Sequence, residues 1–176
     1  MTMHNVTARD LVGLSFLVAL GIVLHLVEDL LPVQFLTLFP GVKIGFANIV
    51  TVVALFRWQW QHAFLVAILR IVLGSLLGGN FLNIGFFLSL GGGLASVPVM
   101  ALCRSRQLSP VAVSIPGAFV HTTGQVVIAS IYLGTPAVFW YLTFLGPLAV
   151  LSGLFTGYLA GLLLRQWKRK VVMGDQ

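Results

Sequence analysis

Apolar runs of near membrane-crossing length, separated by short polar or turn-forming segments, recur along the whole chain. A bilayer's hydrocarbon core of about 30 Å takes roughly 20 helical residues to cross. That ruler predicts about six spans, at residues 11–31, 44–56, 63–77, 81–103, 111–133 and 137–164. The first ends at Leu31-Pro32, because proline cannot continue a helix interior. The loop 32–43 that follows is apolar (Phe35, Leu36, Leu38, Phe39) and carries the turn pair Pro40-Gly41, so it is expected to lie against the membrane or dip into it. The second span is shorter than a full crossing and closes on Arg57-Trp58-Gln59-Trp60-Gln61-His62, a run suited to the headgroup interface. Arg70 interrupts the third span, Gly91-Gly92-Gly93 marks a kink or close-packing point in the fourth, and Pro116-Gly117 lies inside the fifth. The expected fold is an all-α membrane protein: one integral-membrane domain over 1–176, built as a bundle of about six transmembrane helices.

Composition makes lipid the solvent. Of 176 residues, 59% are hydrophobic and 8% charged, with a mean hydropathy of +1.03, so too few charges exist to cover a soluble surface. A single cysteine, Cys103, excludes an intramolecular disulfide and a cysteine-based metal cluster. The pI near 10.3 does not point to nucleic acid, because the basic residues punctuate hydrophobic runs and act as topology signals. The stretch 1–10 lacks the positive cluster of a signal peptide and no small-residue cleavage site follows the first run, which is therefore expected to be retained. With an even number of spans, Arg9, Arg57, Arg104, Arg106, Arg165, Lys168, Arg169 and Lys170 fall on one side and Lys43 alone on the other. Basic residues stay preferentially inside, so both termini are expected in the cytoplasm of a prokaryotic inner membrane, with the loops after spans one, three and five outside.

Ionisable and amide side chains within spans are costly and thereby become candidates for function, with packing as the alternative. In this topology His25, Glu28 and Asp29 lie in the outer third of span one, Lys43 and Asn48 at the outer start of span two, and Asn80 and Asn83 at the outer start of span four. Gln125 belongs to the outer half of span five, with His121 and Arg70 nearer the midplane. The set converges on an externally open cavity. Ser114, Ala118, His121 and Gln125 recur at three- and four-residue steps and share one helix face, which is expected to point inward; His121 and Gln125 either meet a ligand or bond neighbouring helices. Arg70 needs an anionic partner at its depth, either Glu28 or Asp29 or a ligand. A metal held by His25 with Glu28 or Asp29 is the less favoured reading of that turn, behind a His-carboxylate hydrogen bond. In span six Ala149, Gly153, Gly157 and Gly161 repeat every four residues and let another helix approach closely; Ser15 and Ala19 form a weaker face of the same kind in span one, and both are expected to pack internally.

Catalytic signatures are missing from the sequence. It contains no phosphate loop, no His-Glu-x-x-His helix and no Gly-x-Ser-x-Gly elbow, and its four acidic residues offer only Glu28-Asp29 as a pair for magnesium and diphosphate. The expectation is a protein that is not an enzyme and carries no cofactor.

The run Pro40-Gly41-Val42-Lys43-Ile44-Gly45-Phe46-Ala47-Asn48-Ile49-Val50-Thr51, preceded by Leu26-Val27-Glu28-Asp29-Leu30-Leu31-Pro32, resembles the signature of the Gx transporter family, also labelled heptaprenyl diphosphate synthase component I. That family in turn resembles the substrate-binding S-components of energy-coupling-factor (ECF) transporters. The resemblance implies a six-helix bundle with an outward pocket that captures a vitamin or similar small solute. It also implies partners: a transmembrane T-component and two ABC-type ATPases, docked on a small-residue face such as that of Ser15 and Ala19. By carry-over from the motif, Glu28, Lys43 and Asn48 are the leading substrate-binding candidates, joined by Arg70, Asn83, His121 and Gln125. Lys43 is placed either to bind a carboxylate or phosphate or to serve as a helix-end lysine or partner of Glu28. The alternative is a non-catalytic membrane partner or anchor in isoprenoid-quinone biosynthesis or extracytoplasmic redox metabolism.

Overall fold

The structure, a computed structural model, describes the backbone of residues 7–30 and 45–174, and side chains as far as residue 167. The 32–43 loop, with Lys43, Gly41, Phe35 and Phe39, lies outside the described residues. The described chain is all-α: α1 (Ala8–Leu30), α2 (Asn48–Arg57), α3 (Trp60–Leu77), α4 (Ile84–Ser105), α5 (Pro110–Leu133), a 3-10 turn (Pro136–Tyr141) and α6 (Leu142–Gly174). α1, α3, α4, α5 and the stretch Pro136–Trp167 are long and apolar enough to cross a membrane, and the chain is a multi-pass membrane protein.

Local chemistry sets the helix ends. α1 opens on a reciprocal cap: the Asp10 amide donates to Thr7 Oγ1 at 3.3 Å, and the Thr7 amide and hydroxyl donate to Asp10 Oδ2 at 3.1 and 2.7 Å. The helix therefore starts earlier than hydropathy predicts. Ser109 caps α5 by accepting from the Ala112 amide at 3.3 Å, Pro110 occupies the first helical position, and Gly134, at φ 66°, ends the helix in the left-handed conformation. α2 starts at Asn48 and not at 44, because Gly45, at φ 91°, turns the chain through a conformation that interrupts a helix. Span four likewise starts at Ile84 because Leu82, at φ 63°, belongs to a turn.

α2 organises the bundle. Ten residues at about 1.5 Å each give a rod of about 15 Å, half a crossing. Every residue from Asn48 to Leu55 is buried. A helix so rich in β-branched residues (Ile49, Val50, Thr51, Val52, Val53) has little intrinsic preference to form, and the walls around it hold it. Those walls are α1, α3, α4, α5 and α6, packed in that order around it, and each touches α2. Helix outsides are apolar, as α1 illustrates: Val12, Phe16 and Val23 face outward while Gly13, Gly21, His25 and Glu28 face in.

Glycines allow the walls to close. A Cβ on Gly124 of α5 would lie 2.9 Å from the Gly91 carbonyl oxygen of α4, and one on Gly157 of α6 only 2.6 Å from Val111 Cα of α5. The Gly91-Gly92-Gly93 run is thus a contact surface within a continuous helix. A large apolar core (Leu17, Val50, Val53, Leu55, Val66, Met100, Val113) fills the half of the bundle toward Arg57, Arg104, Arg106 and Arg165, hereafter the basic end.

Candidate functional site

Polar residues gather around the start of α2, in the half of the bundle away from the basic end. Glu28 lies in the last turn of α1, and its Oε1 accepts from the backbone N–H groups of Gly45 and Phe46, each at 2.6 Å. Both amides precede the first turn of α2, where the unpaired donors of a helix start carry partial positive charge. A buried carboxylate at this point is charge-assisted and closes the half-helix from above. A helix N-terminus inside an apolar bundle favours an anion, and here the chain supplies the anion itself.

Arg70 lies near the middle of α3 and is 3% exposed, so its charge must be met within the protein. Nη2 donates to Asn48 Oδ1 at 2.6 Å and Nε to Thr51 Oγ1 at 3.4 Å. Both acceptors are neutral, and Glu28 is the acidic group whose field reaches the guanidinium. Of the two carboxylates expected as partners, neither forms an ion pair with Arg70 among the described residues, and Glu28 is the one whose charge reaches it through space. Gly21 makes the burial possible, since a Cβ there would come within 2.9 Å of Val50 Cγ2 and 3.1 Å of Arg70 Cβ.

Beside this pair, His25 packs its ring on Gly74 of α3, where an added Cβ would lie 2.8 Å from Cδ2. Its Nε2 is 3.4 Å from Ser75 Oγ and 3.9 Å from Asp29 Oδ2. Among the described residues no three of His, Cys, Asp and Glu gather in a way that could hold a metal ion. On α5 the face of Ser114, Ala118, His121 and Gln125 is buried, as its periodicity predicts. The His121 ring lies against Gly92 of α4 and within 3.8 Å of the Cβ position of Gly45. Gln125 Nε2 is 3.1 Å from His121 Nε2, and donates when that nitrogen carries no proton. Gln125 Oε1 is buried without a hydrogen-bond partner among the described residues, a cost that a folded interior rarely leaves standing.

The structure thus brings Glu28, Asn48, Arg70, His121 and Gln125 around one helix start. Asn83 stands apart, exposed at the N-cap of α4. Sequence reasoning missed Thr51, one turn after Asn48 on the same face, and Ser75. It also missed Gly21 and Gly74, whose role depends on which helix they face. The small-residue faces divide. Ala149 is buried, and Gly153 and Gly157 meet the α5 backbone, whereas a Cβ on Gly161 would meet nothing within 4 Å. Ser15 and Ala19 do not pack internally as expected: both are exposed on the outer face of α1, because Gly13, Leu14, Leu17 and Gly21 occupy its inner stripe. Two clefts lined by described residues open at the basic end, away from the polar cluster; one, of about 440 Å³, lies among Trp58, Trp60, Arg104 and Ser105, and the other between α5 and α6.

A family model described as heptaprenyl diphosphate synthase component I matches residues 17–163, which enclose the whole polar cluster. The chain belongs to that family. The heptaprenyl diphosphate synthase component I assignment agrees with the signature run at 40–51, and it covers all five apolar crossings in whole or in part. Comparison with curated proteins and with solved structures gives no match. The cluster has groups that can bind a polar ligand: a carboxylate and a guanidinium, imidazole and amide groups, and a buried acceptor oxygen, walled by apolar helices.

Proposed function

We propose that this protein is the substrate-binding membrane subunit of an ECF-type importer, capturing a small solute of the vitamin or cofactor-precursor kind. The observation that carries this reading is the position of the polar cluster around the start of α2, in the half of the bundle opposite Arg57, Arg104, Arg106 and Arg165. Basic residues favour the cytoplasmic side, so in this reading the cluster faces outward and the termini lie inside; the membrane of the proposal is the inner membrane of a prokaryote. Glu28, Asn48, Arg70, His121 and Gln125 form the pocket floor in this proposal. Asn83 stands toward its mouth, and Lys43, from the family motif, is a further solute contact in this proposal. The chain works by differential affinity of two conformations for the solute, with energy from a T-component and two ABC-type ATPases; it is not itself an enzyme.

Native mass spectrometry of gently purified protein tests this directly, since it reports retained solute and partners together. Recovery of the ATPases and T-component supports the proposal. Lys43→Ala and Asn83→Ala lower solute affinity; unchanged affinity in both would overturn the placement of the pocket mouth. The family's description favours a second reading, a non-catalytic membrane partner in isoprenoid-quinone biosynthesis or extracytoplasmic redox metabolism. Recovery of a prenyltransferase or redox protein in place of the ATPases supports that one.

A further inference from the structure

At the basic end, α5 and α6 part to leave a cleft of about 390 Å³ between them, lined by Phe56, Val111, Gly157, Gly161 and Leu164, with Ser109 and Arg165 among its polar residues. Two glycines one turn apart shape its floor. Gly157 touches the α5 backbone, whereas the Cβ position of Gly161 opens on empty space. The cleft therefore begins where the α5 and α6 backbones separate.

Its walls are apolar, its volume falls within the roughly 300–1,000 Å³ of small-molecule sites, and no acidic residue lines it. Arg165 is exposed and makes no ion pair among the described residues. Ser109 accepts a bond from the Ala112 amide, which leaves its hydroxyl proton to donate. Val111, at the second position of α5, contributes an amide that its own helix cannot satisfy. Nearby, Trp58 and Trp167 meet edge to face at 5.8 Å, and Arg104 covers the Phe56 ring at 4.7 Å. Such aromatic and basic residues mark the headgroup level of a membrane helix bundle. Gly161 lies about 6 Å deeper than Arg165 and Gly157 about 12 Å deeper, at 1.5 Å per residue. The cleft thus runs from headgroup depth into the hydrocarbon, positive at its mouth and apolar below.

We infer that this cleft holds one anionic phospholipid of the surrounding leaflet, its phosphate met by Arg165 and Ser109 and an acyl chain laid along Gly161 toward Gly157. Charge selects the occupant: the basic end carries Arg9, Arg57, Arg104, Arg106 and Arg165, and its acid among the described residues, Asp10, is engaged by Thr7 and Trp58. An apolar groove at this depth is filled more favourably by a lipid chain than by water. The inference stands independently of the solute proposal.

The test is native mass spectrometry of the detergent-purified full chain titrated with phosphatidylglycerol, phosphatidylcholine or farnesyl diphosphate. Wild type is expected to retain one phosphatidylglycerol, with phosphatidylcholine held at least tenfold more weakly. Gly161→Leu fills open space, does not lower the melting temperature and loses the bound lipid; Arg165→Gln keeps binding but loses the preference for the anionic headgroup. Equal retention of both phospholipids, or retention unaffected by Gly161→Leu, overturns the inference. So does tight binding of farnesyl diphosphate without phosphatidylglycerol, or a dimer that Gly161→Leu dissolves with no lipid bound.

Discussion

Replacing Glu28 by glutamine keeps an oxygen where Gly45 and Phe46 donate and removes only the charge. The two 2.6 Å bonds then change from charge-assisted to neutral. A hydrogen bond to a charged group contributes about 1.5–3 kcal/mol against about 0.5–1.5 for a neutral one, so the two together lose about 2 kcal/mol. Loss of the anion at the start of α2 adds about 0.5–2 kcal/mol. Glu28→Gln is therefore expected to cost about 2.5–4 kcal/mol, a fall of roughly 5–15 °C in melting temperature for a chain of this size. Part of that cost passes through Arg70, which loses the carboxylate whose field reaches it. Arg70→Met removes the cation and leaves the buried acceptors Asn48 Oδ1 and Thr51 Oγ1 without their donor, at a cost of about 1–3 kcal/mol. The double variant removes both charges together and should fall short of the sum of the singles by about 1–3 kcal/mol. Reversible unfolding in mixed micelles, run on all four proteins, measures each term. A Glu28→Gln protein within about 0.5 kcal/mol of wild type, or a double variant whose cost equals the sum, would refute the reasoning. Either result would mean that the carboxyl is neutral in place and that Arg70 is balanced by something else.

Three further outcomes follow from the same packing. Gly92→Ala puts a Cβ 2.8 Å from the His121 ring and from its carbonyl oxygen, and is expected to destabilise by about 1–3 kcal/mol, whereas Gly85→Ala, with nothing within 4 Å, is expected to lose no stability in the same melting assay. Gly157→Ala and Gly161→Ala separate two members of one sequence repeat: the first meets Val111 Cα at 2.6 Å and lowers stability by about 1–3 kcal/mol, and the second meets nothing and raises it by about 0.5–1 kcal/mol through helix propensity; similar values for both would contradict the packing. In a Cys103→Ser background, Asn83→Cys should react with an impermeant thiol reagent in intact cells and Arg106→Cys only after permeabilisation; the reverse pattern inverts the proposed orientation.

How legible the site was depends on the kind of residue. His121 and Gln125 could be found because helical period alone places Ser114, Ala118, His121 and Gln125 on one face, and burial of that face follows once lipid takes the other. Arg70 and Glu28 stood out through cost: a charge inside an apolar run needs a partner. What each partner is could not be read. Asn48 and Thr51 meet Arg70 across 22 and 19 residues of chain, and Glu28 binds the backbone of Gly45 and Phe46, atoms that every residue type possesses and that no composition marks. Asn83, chosen by the same rule as Asn48, lies exposed at a helix cap because Leu82 turns the chain first.

The sequence by itself determined that the chain is a membrane protein, which runs become helices, and which side collects positive charge. Those properties follow from transfer free energies and from the length of a bilayer crossing, which are local and additive along the chain. Only the tertiary structure decided that the shortest apolar helix is the centre of the bundle, that Gly157 packs while Gly161 stays open, and that Ser15 and Ala19 face outward. Such outcomes depend on which helices are neighbours. Neighbourhood is fixed by the simultaneous packing of all of them around α2, and hydropathy does not distinguish one apolar neighbour from another.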